Sequence, residues 1–358
     1  MSEKSIKSWA LEAKGANGEP WVTPVNTSPF RIGRRDDCEL RLPSDSISRL
    51  HAEIRWTAQG LWIRDCGSTN GTFVNFHRIS DEQQLKPGDV VHFASLEFHV
   101  EGRGAENEDR SERTIMVNPY VEKLDQLISK KAVIPHFQPI VSLRDNETIG
   151  YELLGRVGTE GVPSNIPQLF FIAKQLGRDV ELSRVFRDCG IERIVGAKAK
   201  GLIFFNTVPK EMDLQALGRS LSLLRQMAPQ IDLAMEVHEN TITDIGFIHQ
   251  LREVLKGLDI KLVYDDFGAG QSRLLELMDA PPDILKFDIS LVRNIHMRSP
   301  SSLRMVATLV SMAKDLGVMA LAEGIELAEE AEVCRQIGFD LAQGYFFGKP
   351  APTLTPLN

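Results

Sequence analysis

Two adjacent aspartates, Asp265 and Asp266, end the apolar, β-branched run "KLVYD" and lead into the glycine-bearing stretch "DFGAG". Like charges side by side at the end of a buried strand repel, unless water screens them or cations lie between them. Other acids and amides stand at the ends of similar runs: Glu152 in "IGYELL", Asn206 in "LIFFN", Glu236 in "DLAMEV", Asp288 in "ILKFD" and Glu323 in "VMALAE". Hard divalent cations such as Mg²⁺ or Mn²⁺ take carboxylate and amide oxygens, and no His/Cys cluster offers itself to a softer ion. Adjacent aspartates can serve two cations roughly 3.5–4 Å apart, with Asp265 bridging both and Asp266 on the second. Such a pair suits attack of water on phosphorus. An exposed strand end accounts for any one of these acids but poorly for the set. Without cations, so many carboxylates at one mouth should repel and rise in pKa.

A second constellation lies earlier in the chain. "FRIGRR" supplies Gly33 and Arg34, "SISRLHAEI" supplies Ser48, Arg49 and His51, and "DCGSTNGTFVN" supplies Ser68, Thr69, Asn70, Gly71 and Asn75. An arginine in one loop beside hydroxyls and an amide in others makes a site for a phosphate with a peptide attached. Taken singly, Asn70-Gly71 is a hairpin turn, His51 a core hydrogen bonder and Arg34 a solvated charge.

The elements that must position these residues fall into two textures. Over residues 6–101, short runs such as "FRIGR", "AEIRWTAQG", "LWIRDC" and "VVHFASLEFHV" alternate with Gly, Asn, Asp and Pro turns, which predicts an all-β sandwich. Residues 102–119 read as a charged linker, since "EGRGAENEDRSERT" contains no large apolar residue. From residue 120 to 358, apolar strands alternate with helical patterns such as "SLRMVATLVSMAKDLG", which predicts a parallel sheet. Eight such units in about 240 residues are compatible with a (β/α)₈ barrel, whose C-terminal strand ends converge on one mouth.

Bulk properties narrow the function classes. The 358 residues suggest two domains, and a formal net charge of -8 disfavours a DNA or RNA polymer as partner while leaving room for a small anion. Cys38, Cys66, Cys189 and Cys334 are widely spaced and read as reduced thiols. The first fifteen residues carry no apolar run of signal-peptide length, and Lys314 and Asp315 interrupt the most apolar long stretch, 305–322. No membrane span and a cytoplasmic location are expected.

The motifs of the earlier stretch, G-R, S-x-x-H and an N-G turn in that order, resemble the forkhead-associated (FHA) domain over roughly residues 20–101. The resemblance implies binding of phosphothreonine peptides, with Arg34, Ser48, Arg49 and Thr69 on the phosphate and Asn70 on the peptide backbone. His51 and Gly33 would support the loops. Thr114 in the linker segment "SERTIM" is then a conceivable phosphorylated ligand for this or another chain's FHA domain, although an ordinary linker threonine is the simpler reading.

From about residue 121 onward, "YELLGR", "FFNTVP", "MEVHEN", "DDFGAG", "LKFD", "AEGIE" and "QGYFFGKP" resemble the EAL domain. That resemblance implies a modified TIM barrel that linearises the bacterial second messenger cyclic di-GMP to pGpG. It further implies Glu152, Asn206, Glu236 and Asp265 on one metal, Asp265 with Asp266 on the other, and Lys286 beside the nucleophilic water. Glu323 would support metal-bound waters, Glu239 would fix the loop after Asp266, and Gln138, Leu154, Arg156 and Gln343 would touch the ligand. A homodimer through the barrel is implied as well. Tyr345 and Phe346 read as core.

Four departures bear on activity. Leu153 replaces the small central residue of E-A-L, and Lys174 in "FFIAKQLG" stands where a glutamate near the second metal is usual. His238 replaces the threonine of E-x-T-E, and Gln271 and Arg273 alter the loop "GAGQSRL". A charge change of two units at Lys174 would weaken cation binding unless its side chain points away. Two functions are therefore weighed: a working phosphodiesterase coupled to a phosphopeptide reader, or a non-catalytic cyclic di-GMP receptor or scaffold.

Overall fold

The chain divides into two compact units, Met1–Asn118 and Pro119–Asn358. In the computed structural model, the described residues are 8–14, 20–44, 46–57, 60–94, 96–103, 120–159, 161–238, 245–268 and 274–354. Thr114, Glu239, Gln271 and Arg273 lie outside them.

The first unit is built from β1 (Ser8–Lys14), β2 (Pro20–Val25), β3 (Phe30–Gly33), β4 (Leu40–Arg41), β5 (Ala52–Thr57) and β6 (Gly60–Asp65). These are followed by β7 (Thr72–Val74), β8 (His77–Arg78), β9 (Gln83–Leu85), β10 (Val90–Phe93) and β11 (Leu96–Arg103). They form two sheets, ordered β2-β1-β11-β10-β7-β8 and β4-β3-β5-β6-β9. Side chains alternate between the faces of a strand, so β6 buries Leu61 and Ile63 while Arg64 is exposed. The core between the sheets includes Leu11, Phe30, Ile32, Ile54, Phe93 and Phe98.

The second unit opens with α1 (Val121–Ser129), β12 (Val133–Ser142) and β13 (Thr148–Val157), then α2 (Ile166–Gln175), α3 (Asp179–Ala197) and β14 (Leu202–Asn206). It continues with α4 (Leu214–Met227), β15 (Asp232–His238), α5 (Ile245–Gly257), β16 (Ile260–Phe267), α6 (Leu274–Asp279) and β17 (Ile284–Phe287). The last elements are α7 (Ile289–Val292), α8 (Pro300–Asp315), β18 (Met319–Ala322), α9 (Ala328–Ile337) and β19 (Leu341–Gln343). Strands β12 to β19 close into a barrel in chain order. The expectation of an all-parallel sheet is corrected at its first strand, because β12 runs antiparallel to both β13 and β19. Only residues 143–147 connect β12 to β13. That is enough for a hairpin and far too short for a parallel crossover.

Burial on both faces makes the barrel strands continuous apolar runs. In β14, Leu202 and Phe204 join the barrel interior, whereas Ile203 and Phe205 join the layer beneath the helices. The interior is plugged by Ile140, Leu202, Phe204, Ala234, Val263, Ile284, Leu321 and Leu341. Two residues past an interior apolar residue, and so on the same face, come Asn206, Glu236, Asp265, Lys286, Glu323 and Gln343. Gln138 stands two residues before Ile140 because β12 runs the other way. The strand period thus lays a polar layer directly above an apolar one.

Candidate active site

Lys286 on β17 lies at the centre of this polar layer and is 1% exposed. Its ammonium meets Glu236 Oε1 at 2.7 Å, Glu323 Oε1 at 2.7 Å, Asp265 Oδ1 at 3.0 Å and Glu152 Oε2 at 3.8 Å. The structure therefore gathers residues from β13, β15, β16 and β17, together with Glu323 immediately after β18. Asn206 joins by donating from Nδ2 to Glu152 Oε1 at 3.1 Å. Gln343 donates from Nε2 to Glu152 Oε2 at 2.5 Å and to Gln138 Oε1 at 3.0 Å, and Gln138 donates to the Gly348 carbonyl at 3.2 Å. Both glutamines are buried; Gln343 holds Glu152 in place and Gln138 accepts from Gln343, a positioning role that motif reading alone did not supply.

Four carboxylates around one ammonium carry more negative charge than Lys286 can balance. Burial first, and then the neighbouring carboxylates, push Glu236 well above its ordinary range and raise Asp265. Glu323 is pushed up to about 8 for the same reasons. The rise expected from repulsion is present, with desolvation as its larger cause. Burial alone would lower Lys286, but Asp265, Glu152, Glu236 and Glu323 outweigh it and hold the ammonium charged. Glu236 Oε2 is buried and has no hydrogen-bond partner among the described residues. An orphaned, desolvated carboxylate oxygen beside surplus negative charge fits a divalent cation.

Asp266 behaves differently from its neighbour. It adopts φ +61°, a left-handed conformation that aspartate tolerates better than most residues. A hydrogen bond from His238 first, and that ring's charge next among the favourable influences, lower its pKa. His238 Nε2 lies 2.9 Å from Asp266 Oδ2. Asp265, Asp266 and Glu323 each place a carboxylate oxygen within 4.8 Å of the others, a group able to hold a metal ion.

Other expected residues lie further out or elsewhere. Leu154 and Arg156 follow Glu152 at two-residue steps on β13, so they share its face and extend past it along the strand. Both are half-buried, and Arg156 donates to the Gly155 carbonyl at 2.7 Å. Asp288 does not join the cluster, contrary to its reading as a convergent strand-end acid; it caps α7 by accepting from Ser290 N–H. Tyr345 and Phe346 are exposed at 57% and 47%, so the core reading fails for both. They follow Gly344, past the end of β19, where a Cβ would meet the Ile325 carbonyl oxygen at 2.0 Å. Lys174 on α2 is exposed and, among the described residues, forms no ion pair with Asp266.

In the first unit, three loops are tied together. Arg34 N–H donates to the Ser48 carbonyl at 3.0 Å, Thr69 N–H to Ser48 Oγ at 3.0 Å, and Asn70 Nδ2 to the Ser46 carbonyl at 2.8 Å. Arg34, Arg49, Thr69 and Asn70 are exposed on the resulting surface, with Ser48 half-buried between them. His51 is fully buried beneath it. Its Nδ1 accepts from Ser48 N–H at 3.1 Å, which leaves Nε2 as the donor to the Gly71 carbonyl at 3.0 Å. Desolvation is the main cause of its lowered pKa. Gly33 is required by close approach, since a Cβ there would lie 2.5 Å from the Arg49 carbonyl oxygen.

Comparison with known proteins agrees with this division. The family model for the EAL domain matches residues 121–350, and that for the FHA domain matches residues 30–94. The signaling protein YkoW of Bacillus subtilis is 29% identical over 237 residues, covering 64% of this chain and 29% of its own length. The probable cyclic di-GMP phosphodiesterase PdeB of Escherichia coli is 30% identical over 241 residues, or 64% of this chain and 45% of PdeB. The chain thus spans well under two thirds of these relatives. Among solved structures, the manganese/cy-diGMP complex of Klebsiella pneumoniae BlrP1 is 28% identical, with a TM-score of 0.54, covering 62% of this chain and 56% of that one. The c-di-GMP complex of the phosphodiesterase PaMucR shares the fold at 23% identity, with a TM-score of 0.58 over 65% of this chain and 97% of that one.

Proposed function

The chain belongs to the EAL domain family and carries an FHA domain ahead of the barrel, and from that premise we propose a divalent-metal-dependent phosphodiesterase that opens cyclic di-GMP to pGpG. The observation that carries the reading is the buried Lys286 ringed by Glu152, Glu236, Asp265 and Glu323, with surplus negative charge and an orphaned carboxylate oxygen. Glu152, Asn206, Glu236 and Asp265 would hold one Mg²⁺ or Mn²⁺, and Asp265 with Asp266 the second. When bound, the cations supply positive charge to the phosphodiester and to the departing oxygen.

The chain's own residues do the rest. Lys286, kept as an ammonium, donates hydrogen bonds and orients the attacking water. The hydroxyl of that water goes to phosphorus and its proton ends on the 3′-oxygen whose P–O bond breaks. Glu323 holds Lys286 and accepts from ordered water. Gln343, itself bonded to Gln138, keeps Glu152 aimed at the site, while Leu154 and Arg156, further along the same strand face, would meet the guanine and phosphate parts of the ligand. Glu239 is assigned to anchoring the loop after Asp266.

Incubating the purified chain with cyclic di-GMP and Mn²⁺, and separating pGpG from substrate, tests this directly. Product formation that is lost on Lys286→Met, by about 10²-fold or more, is expected. The second reading, a non-catalytic cyclic di-GMP receptor or scaffold, needs the nucleotide pocket but not the second cation. Calorimetric binding of the nucleotide with no product would select it. Lys174→Glu is expected to leave the rate unchanged, given the exposure of that side chain.

For the FHA domain, the joined loops bearing Arg34, Ser48, Arg49, Thr69 and Asn70 support recognition of a phosphothreonine peptide. Trp9, Trp21, Trp56 and Trp62 are the chain's four tryptophans and all lie in the first unit, so intrinsic fluorescence reports on it selectively. Equal titration curves for phosphorylated and unphosphorylated peptides would end this reading.

A further inference from the structure

The second-cation assignment leaves His238 unexplained. It is the last residue of β15, two positions after the buried Glu236, and so lies on the same strand face, at the rim. The register pairs it with Asp265, and its Nε2 reaches Asp266 Oδ2 at 2.9 Å. Asp266 is itself held at φ +61°. One oxygen of Asp266 is therefore engaged by the imidazole. Its neighbours Asp265 and Glu323 bring oxygens within 4.8 Å, and Glu236 Oε2 remains orphaned behind them. Among the described residues, no other side chain is paired with Asp266 by an ion pair.

Resting on the two-cation reading, we propose that His238 is a positioning residue for the second cation. It donates from Nε2 to Asp266 Oδ2 and fixes the plane of a carboxylate that, with Asp265 and Glu323, forms a group able to hold a cation. Hydrogen-bond partners behind a ligating carboxylate restrict its rotation before the ion arrives, and their loss typically lowers metal affinity about 10- to 100-fold. A side chain too short to reach Asp266 would leave that carboxylate to rotate freely at a half-exposed rim, whereas the imidazole reaches it directly.

The test is Mn²⁺ binding to the full chain without nucleotide, by calorimetry and by the electron paramagnetic resonance of free Mn²⁺, for wild type, His238→Ala and His238→Gln. Two classes of site are expected in wild type. The weaker should lose about 10- to 100-fold in affinity in His238→Ala and regain most of it in His238→Gln, whose amide can donate in the same place. The tighter site should move little. A weaker site unchanged in His238→Ala overturns the inference. So does nitrogen coupling to Mn²⁺ in pulsed resonance of the wild type, because it would make His238 a direct ligand. A single class of site, or none, in wild type overturns the two-cation reading and this inference with it, and is distinguished by its appearance in the unmutated chain.

Discussion

Leu153 shows how a departure from a family pattern is absorbed by one neighbour. It points out of the barrel and is 7% exposed, facing α3. There Gly190 leaves the space: a Cβ at that position would lie 2.2 Å from Leu153 Cδ1 and 2.3 Å from Cδ2. The bulk at the centre of the E-L-L motif therefore never reaches the carboxylates. Gly190→Ala should gain about 1 kcal/mol of helix propensity but incur an overpacking cost of about 1–3 kcal/mol. In a Leu153→Ala background only the gain remains. Urea denaturation of the four chains of this double-mutant cycle should give a coupling on the order of 1–3 kcal/mol. Additive effects would mean that Leu153 and Gly190 do not share that space.

At the scale of elements, the surface proposed to take phosphate in the FHA domain depends on loops tied to one another through Ser48 and His51. Ser48 ties the loop after β3 to that after β6, and His51 holds both from below through Ser48 N–H and the Gly71 carbonyl. His51 is buried and its pKa lies below that of an unfolded histidine, about 6.5. In the window below about 6.5 and down to the lowered folded value, the unfolded chain binds a proton that the folded chain refuses. Stability should accordingly be full above about pH 6.5 and fall as the pH drops through that window. Tryptophan-detected melting from pH 7.5 to 5 should show this decline in wild type and a shallower one in His51→Gln. Parallel pH dependences would remove His51 as its source.

At the scale of the whole molecule, four carboxylates around one buried ammonium make barrel stability sensitive to added cations. Cations that bind only the folded state stabilise it by mass action, about 2.7 kcal/mol per site at a hundredfold excess over Kd. For a unit of this size, each kcal/mol moves the transition by about 2–4 °C. Mn²⁺ should raise the barrel transition seen by circular dichroism by several degrees, and EDTA should reverse it. An unmoved transition would count against cation binding by the cluster. A phosphothreonine peptide, in contrast, should act on the transition seen by tryptophan fluorescence. Among the described residues, no helix is long and apolar enough to cross a membrane.

Much was determined by sequence alone, for identifiable reasons. Period-2 alternation and turn residues marked the sandwich, and continuous apolar runs ending in Glu152, Asn206, Glu236, Asp265 and Glu323 marked the barrel and its mouth. The antiparallel β12 escaped because "VIPHFQPIVS" carries two prolines and polar residues, and its direction is set by the length of the next connection. The exposure of Tyr345 and Phe346 escaped because an aromatic after a strand end reads like core until the backbone's course past Gly344 is known. Asp288 looked like its neighbours in sequence, yet Lys286 already fills the place of β17 in the polar layer, and Asp288 caps the helix that starts at Ile289. Composition and motif order name residues that can bind cations and phosphate. Only the closed barrel decides that Lys286 is surrounded by four of those carboxylates, and that His238 engages Asp266, because both depend on side chains from separate strands meeting at one level of the barrel.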